Sequence, residues 1–218
     1  MDTILIPWRG GDPARERNLK FVVDWYRPLG LPITLGDSTS GIAFNRGQAR
    51  NNAAAGAGDW DVALLADADT VAELDVVRTA LHMARETGQL IIPHDDFYRL
   101  NRYGTIDLIG KRDFYQGHPS QVWKLCAWPR VEQSMMPSGA LVISRSAFEA
   151  MGRYDEGFIG WGYEDAAFLQ DAQRTIGVTR LPGKLFHLWH PRDYGTLAGR
   201  RENEARLGSR RAQGTGVE

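Results

Sequence analysis

Short apolar segments alternate with longer amphipathic segments through the first 93 residues, and this order leaves few folds open. The apolar runs are too short for buried helices, so they indicate strands at 3–6, 31–35, 61–66 and 90–93. Between them, apolar residues recur at helical spacing, with start and stop signals such as Asp12-Pro13 and Gly88. Strand–helix alternation of this kind predicts an α/β fold with a mostly parallel sheet and helices on both faces.

The pattern beyond residue 93 is less regular. Residues 95–136 are rich in aromatic side chains and show no periodicity, so we expect an irregular connection there. A capping box at Ser146 and Glu149 predicts the start of a helix. The other expected elements are a strand, a second helix and a strand or strand pair, at 138–144, 164–176 and 178–188.

The end of the chain is polar and rich in arginine, glutamate and glycine. We expect residues 199–218 to form a mobile tail, because they offer little apolar surface to bury. A single domain is then expected at 1–198.

Composition excludes several classes of protein. The net charge is −1, so no overall field points to nucleic acid or to an anionic membrane. No apolar run approaches the ~18 residues of a membrane span. The single cysteine, Cys126, excludes an internal disulfide and fits a reducing compartment. Residues 1–7 lack the basic flank and apolar core of a signal peptide, so we expect a cytoplasmic protein.

Two acids, Asp67 and Asp69, directly follow the predicted strand at 61–66. In an open parallel sheet, ligands bind beyond the carboxyl ends of the strands. Carboxylate oxygens there suit Mn²⁺ or Mg²⁺, which can bridge to a diphosphate. Two solvated loop acids would give the same sequence pattern, and it is the position after a buried strand that favours metal binding.

A glycine-flanked tryptophan precedes two further acids, in the order Gly160-Trp161-Gly162-Tyr163-Glu164-Asp165. The glycines allow close approach of the backbone to a ligand, and a tryptophan face suits a sugar ring. Acids at the N-terminus of a helix are favoured as anions. The alternative is a helix cap beside a core tryptophan.

Two histidines lie three residues apart, at His187 and His190. A neutral imidazole is a common metal ligand, and Asp69 with two histidines forms a reasonable Mn²⁺ set. Arg9, after the first strand, and Arg46, at a loop-to-helix junction, are candidates for phosphate or base contacts. Either arginine alone is equally consistent with surface charge.

Taken in order, these segments resemble the β-1,4-galactosyltransferases. The resemblance rests on Ile-Pro-Trp-Arg at 6–9, Phe-Asn-Arg at 44–46, Asp-Ala-Asp at 67–69, Gly-Trp-Gly-Tyr-Glu-Asp at 160–165 and His-x-x-His at 187–190. The segments are also similar to the catalytic half of the polypeptide N-acetylgalactosaminyltransferases and to the family 2 glycosyltransferases. The similarity spans residues 3–192 and implies a GT-A type fold. Such a fold has a Rossmann-like, mostly parallel sheet with helices on both faces, as the strand–helix alternation also predicts. One departure is Tyr163, where the galactosyltransferases carry glycine.

The resemblance also implies roles for individual residues. Asp165 would be the catalytic base and Glu164 would bind a sugar hydroxyl, although the sequence leaves a swap of the two roles open. The metal ligands would be Asp69, His187 and His190. The UDP-sugar would be bound by Arg9, Asp37, Arg46, Asp67, Gly139 and Trp161. Residues 191–206 would fold over the bound donor.

The implied activity is metal-dependent transfer of a hexose or N-acetylhexosamine from a UDP-sugar to a glycan, protein or lipid hydroxyl. The Glu-Asp pair favours inversion, and a retaining transferase is the alternative. A sugar-phosphate nucleotidyltransferase and a carbohydrate-binding module are further alternatives, although Arg9-Gly10-Gly11-Asp12 is a poor match to the basic glycine-rich loop of the former. Because the chain shows no stem, anchor or disulfide pattern, we expect a bacterial or viral enzyme, acting in the cytoplasm.

Overall fold

The computed structural model describes residues 1–39, 43–112, 125–126, 138–160, 162–191 and 197–214. The strands are β1 (Thr3–Pro7), β2 (Ile33–Gly36), β3 (Val62–Ala66), β4 (Thr70–Ala72), β5 (Leu90–Ile92), β6 (Asp96–Arg99), β7 (Ala140–Ser144), β8 (Val178–Arg180) and β9 (Lys184–His187). The α-helices are α1 (Pro13–Tyr26), α2 (Arg46–Gly56), α3 (Leu74–Thr87), α4 (Arg102–Lys111), α5 (Arg145–Ala150), α6 (Glu164–Thr175) and α7 (Leu197–Gly214).

The main sheet has the strand order β2-β1-β3-β7-β5-β8. Strand β1 pairs in parallel with β2 and β3, and β5 pairs in parallel with β8. Strand β7 is antiparallel to both of its neighbours, β3 and β5, so the other five strands all run in the same direction. The prediction of a mostly parallel sheet is therefore confirmed. The carboxyl ends of the parallel strands meet at one edge, and the residue before β7 lies at the same edge because that strand runs the opposite way.

Two apolar cores cover the two faces of this sheet. Alternate residues of a strand point to opposite faces, so Ile4 and Ile6 of β1 pack with α1 and α3, whereas Leu5 packs with α2, α5 and α6. Strands buried on both faces explain why the sequence showed continuous apolar runs rather than alternation. The prediction of helices on both faces is confirmed.

A second, smaller sheet with the order β4-β9-β6 was not predicted. Its strand β6 and the helix α4 both fall within the segment expected to be irregular, residues 95–136. The strand was missed because it pairs with β9, which is far away in sequence. The helix begins at Asn101, whose side chain accepts a hydrogen bond from the Gly104 backbone. Residues 113–124 and 127–136 of that segment lie outside the described part of the chain.

Two other local predictions are wrong in detail. The cap of α5 is Ser144, whose hydroxyl accepts from the Ala147 backbone at 3.3 Å, so Ser146 lies inside the helix rather than at its start. The polar segment at 199–218, expected to be a mobile tail, is helical up to residue 214, as part of α7. Within the ranges described, no helix has the length and apolar character needed to cross a membrane.

Candidate active site

The strand-end edge of the main sheet brings most of the candidate residues together. Asp67 directly follows β3, and its backbone N–H donates to the Gly139 carbonyl at 2.9 Å. Gly139 has a φ of 100°, and a Cβ there would lie 2.5 Å from the Leu185 side chain. Only glycine fits this position without a shift, so Gly139 has a clear structural role in seating the acidic turn against β7. Its predicted contact with the donor sugar stays a prediction.

Asp69, His187 and His190 converge as the sequence predicted. One ligand atom from each of the three side chains lies within 4.8 Å of the other two. The turn after β3 supplies Asp69, and the antiparallel pairing of Thr70 with His187 brings the end of β9 beside it. The Nε2 atoms of His187 and His190 lie 3.7 and 3.1 Å from the Asp69 carboxylate oxygens.

The hydrogen bonding of His190 makes this cluster suitable for a cation. Its Nδ1 lies 2.7 Å from the Pro191 carbonyl oxygen, which can only accept, so Nδ1 carries a proton. In the neutral ring, Nε2 then carries no proton, and its lone pair faces the Asp69 carboxylate. Two acceptors at this distance repel each other unless a proton or a metal ion lies between them. The pairing of a ligating imidazole with a backbone carbonyl is typical of metal sites.

The protonation of the other two ligands fits the same function. Burial lowers the pKa of His187 to about 4, so its imidazole is neutral and able to bind a metal at pH 7. Burial alone would raise the pKa of Asp69, but the positive charge of the histidines in their protonated form, together with the charge of Arg46, outweighs it and lowers the pKa. A metal ion bound in place of the histidine protons would favour the carboxylate in the same way. One carboxylate and two imidazole nitrogens suit Mn²⁺ or another borderline divalent ion.

The segment that carries the histidines is fixed from two sides. Buried Asn18 of α1 donates to the Trp189 carbonyl at 3.1 Å, and the Trp189 backbone N–H donates to the Thr105 hydroxyl of α4 at 2.7 Å. The Arg102 guanidinium lies 5.1 Å from the Trp189 ring centroid. These contacts hold the residue between the two histidines, and therefore fix the spacing of their rings.

A buried arginine, Arg50, links the acidic turn to the second acidic pair. Its guanidinium donates to Asp67 at 2.6 Å and to Asp165, and it lies over the Tyr154 ring at 4.8 Å. The side chain is 1% exposed. Burial would lower the pKa of Arg50, but the surrounding acids, led by Asp165, keep it well above the usual value. Arg50 is therefore a fixed cation between the two ends of the site.

Arg46 lies one helical turn before Arg50 and contacts the acids from the more exposed side. Its guanidinium lies 2.9 Å from a Glu164 oxygen and 3.3 Å from an Asp165 oxygen. Burial raises the pKa of Glu164, and the charge of Arg46 opposes this shift. Burial also raises the pKa of Asp67, and the charge of Arg50 opposes that shift. The site therefore gathers three acids, Asp67, Glu164 and Asp165, around two arginines, and Arg46 is the arginine that reaches solvent.

The turn before α6 has an unusual backbone. Gly160, Gly162 and Tyr163 all have positive φ, at 77°, 102° and 76°. Tyr163 thus occupies the left-handed region at the position where the resemblance has glycine, which costs a non-glycine residue about 1–2 kcal/mol. Trp161 lies outside the described residues, so its predicted place at the sugar site stays a prediction.

Arg9 and Asp37 lie together on the other side of the edge, after β1 and β2. The Arg9 Nε donates to Asp37 at 2.9 Å, and its Nη2 donates to the Ser38 hydroxyl at 2.9 Å. The guanidinium lies 5.3 Å from the Phe44 ring centroid. An arginine, an acid and an aromatic ring thus lie together at one strand-end edge. Their predicted contact with the UDP-sugar stays a prediction.

Sequence reasoning missed Arg50, Asn18 and Thr105. Arg50 did carry a usable signal, since a spacing of four residues puts it on the same face of α2 as Arg46. Asn18 and Thr105 are buried polar residues whose partners are distant in the chain. Nothing in the local pattern distinguishes them from ordinary helix residues.

Comparison with known proteins agrees with this geometry. A family model described as the N-terminal domain of galactosyltransferase matches residues 118–191, a segment that contains Gly139, Asp165 and both histidines. The catalytic domain of Drosophila beta1,4-galactosyltransferase 7, solved with xylobiose, matches with a TM-score of 0.61 at 18% identity. The alignment covers 93% of this chain and 79% of that one. No curated protein sequence matches the chain.

Two further solved structures share the fold. GalNAc-T7, in complex with UDP, GalNAc and Mn²⁺, matches with a TM-score of 0.58 at 15% identity, over 96% of this chain and 47% of that one. Glucosyl-3-phosphoglycerate synthase from Mycobacterium tuberculosis, with Mn²⁺ and UDP, matches with a TM-score of 0.53 at 15% identity, over 100% of this chain and 81% of that one. The chain has the GT-A glycosyltransferase fold.

Proposed function

We propose that the chain is a divalent-metal-dependent glycosyltransferase that moves a hexose or N-acetylhexosamine from a UDP-sugar to an acceptor hydroxyl with inversion. The observation that carries this proposal is the convergence of Asp69, His187 and His190 at the carboxyl edge of the sheet. Two structures with the same fold, GalNAc-T7 and the mycobacterial synthase, contain Mn²⁺ and UDP, which supports the choice of metal and nucleotide. The acceptor class, whether glycan, protein or lipid, is left open.

The donor would be bound between two groups of residues. Asp69 and the two histidines would hold the metal, which when bound neutralises charge on the departing diphosphate. Arg46, the arginine that reaches solvent, is suited to contact a phosphate oxygen because guanidinium groups bind such oxygens through paired donors. Arg9 and Asp37 would bind the uridine side, and Asp67 would lie near the ribose, with Arg50 holding its carboxylate in place.

The acceptor hydroxyl would lose its proton to Asp165 as the new bond forms. The contacts of Asp165 with Arg46 and Arg50 fix the direction of its carboxylate, which is what a general base needs. Glu164, the more deeply buried acid, would accept a hydrogen bond from a sugar hydroxyl. A base on the face opposite the leaving group gives inversion. A retaining transferase, which needs no such base, is the second candidate.

Product analysis with purified protein tests the proposal. The chain is incubated with UDP-galactose, UDP-glucose and their N-acetylated forms, with Mn²⁺ or with EDTA, and both UDP and pyrophosphate are measured. We expect slow release of UDP from one of these donors, dependent on metal, even without acceptor. In a parallel incubation with UTP and a hexose 1-phosphate, release of pyrophosphate instead identifies a nucleotidyltransferase. Release of neither UDP nor pyrophosphate in either incubation contradicts a catalytic function.

A further inference from the structure

The C-terminal helix α7 is anchored beside α6 by specific contacts. Leu207 is buried against Phe158. Arg206 makes two hydrogen bonds to Asp155, at 2.9 and 2.6 Å, and Arg210 makes a third at 2.7 Å. The buried Leu207 and these ion pairs together give the helix a defined position beside α6.

One side chain of α7 reaches the turn that precedes the acidic pair. Asn203 lies four residues before Leu207, on the same helix face, and is 3% exposed. Its side-chain nitrogen donates to the Ile159 carbonyl and to the Gly162 carbonyl, both at 3.1 Å. The buried Asn203 amide thus donates both of its hydrogens, one to the Ile159 carbonyl oxygen and one to the Gly162 carbonyl oxygen.

This turn needs such support from outside. Gly160, Gly162 and Tyr163 are all in the left-handed region, which is unfavourable for Tyr163. On the side away from α7, Gly160 pairs as an isolated bridge with Asn45, the cap of α2. The turn is therefore held between the N-terminus of α2 and the face of α7, and Glu164 follows it directly as the first residue of α6.

We propose that Asn203 is a positioning residue that sets the geometry of the 159–162 turn and, through it, the acidic pair Glu164 and Asp165. The proposal rests on the glycosyltransferase function proposed above. The metal cluster is held by other elements, namely the β4–β9 pairing and Asn18 of α1. Loss of the Asn203 contacts should therefore affect the acidic pair and not the metal cluster. Loss of the Asn203 contacts is expected to impair acceptor use and to leave metal-dependent UDP binding intact.

The test variant is Asn203→Asp. It keeps the shape of the side chain but replaces the NH₂ group, which donates both hydrogen bonds, with an oxygen. A carboxylate facing two carbonyl oxygens has no hydrogen to donate, so both bonds are lost. We expect acceptor-dependent transfer to fall by about 10–100-fold, as for a catalytic group displaced by a fraction of an ångström to 1 Å. The loss appears as a lower kcat and a higher KM for the acceptor, with an unchanged Kd for UDP and Mn²⁺. Glu204→Ala, an exposed neighbour on α7, is the control and keeps full activity.

Hydrogen exchange provides a readout that does not depend on activity. In the metal-free protein, peptides covering 159–165 are expected to exchange faster in Asn203→Asp than in the wild type, while peptides covering 185–191 are unchanged. A wild type that binds no UDP with Mn²⁺ would end the proposed function, and the exchange comparison would still decide whether Asn203 holds the turn. Free exchange at 159–163 in the wild type, or a variant with normal transfer and normal protection, would overturn the inference.

Discussion

Removal of the charge on Arg50 is expected to destabilise the protein strongly. Arg50→Met keeps an unbranched apolar side chain but leaves the carboxylates of Asp67 and Asp165, which are 15% and 12% exposed, without their shared cation. Breaking a buried ion pair by removing one partner costs about 3–5 kcal/mol. The lost contact with the Tyr154 ring adds about 0.5–2 kcal/mol. We therefore expect the free energy of unfolding to fall by about 4 kcal/mol, a large part of the stability of a typical domain.

Urea unfolding at pH 7, followed by far-ultraviolet circular dichroism, measures this loss. Arg78→Met is the control, because Arg78 pairs with Asp75 at the surface, with side-chain exposures of 50% and 97%, and we expect it to cost less than about 1 kcal/mol. The double variant Arg50→Met with Asp165→Asn is expected to regain part of the stability, since one of the two carboxylates that lose the Arg50 charge is then neutral. A loss below about 1 kcal/mol for Arg50→Met, or a double variant no more stable than the single one, would refute the reasoning.

Two further predictions concern the acidic pair and a buried histidine. Asp165→Asn keeps the shape of the side chain but not its basicity, so transfer is expected to fall at least ~100-fold with UDP affinity retained. Glu164→Gln is expected mainly to raise the acceptor KM. If steady-state kinetics instead show the larger loss of transfer in Glu164→Gln, Glu164 is the base. Burial, aided by Arg180, lowers the pKa of His94 to about 3. The unfolded chain then takes up the proton first as the pH falls below ~6.5, and His94 is expected to contribute a loss of about 2 kcal/mol between pH 6.5 and 5 in urea unfolding, beside a similar contribution from His187. His94→Asn should reduce that slope by about half and His82→Asn, at an exposed position, should leave it unchanged. Equal slopes in all three proteins would exclude His94 as a contributor.

The sheet and the placement of Asp67 were predictable because they depend on local patterns. A short continuous apolar run favours a strand buried on both faces, and in a parallel sheet the residue that follows it lies at the edge where ligands bind. The convergence of Asp69 with the two histidines was predicted from the resemblance, since the residues are more than a hundred positions apart, and the geometry confirms that they meet.

Features that depend on distant partners could not be predicted in the same way. The composition of α7 indicates a solvated tail, and its helix is positioned by arginines whose acidic partners lie about fifty residues earlier in the chain. Strand β6 exists because β9 lies beside it. The role of Arg50 depends on acids from two other elements, so the sequence indicates its helix face but not its burial.

Calorimetry of UDP binding to wild type and Asp69→Ala, each with and without Mn²⁺, tests the central claim most directly. Asp69 is the carboxylate that both imidazoles face, and its removal leaves two histidine ligands, too few for a stable site. Asp75→Ala, at an acid that is 97% exposed, is the control. We expect Mn²⁺ to strengthen UDP binding in the wild type and in the control and to have no effect in Asp69→Ala. Metal-dependent affinity that survives unchanged in Asp69→Ala would contradict it.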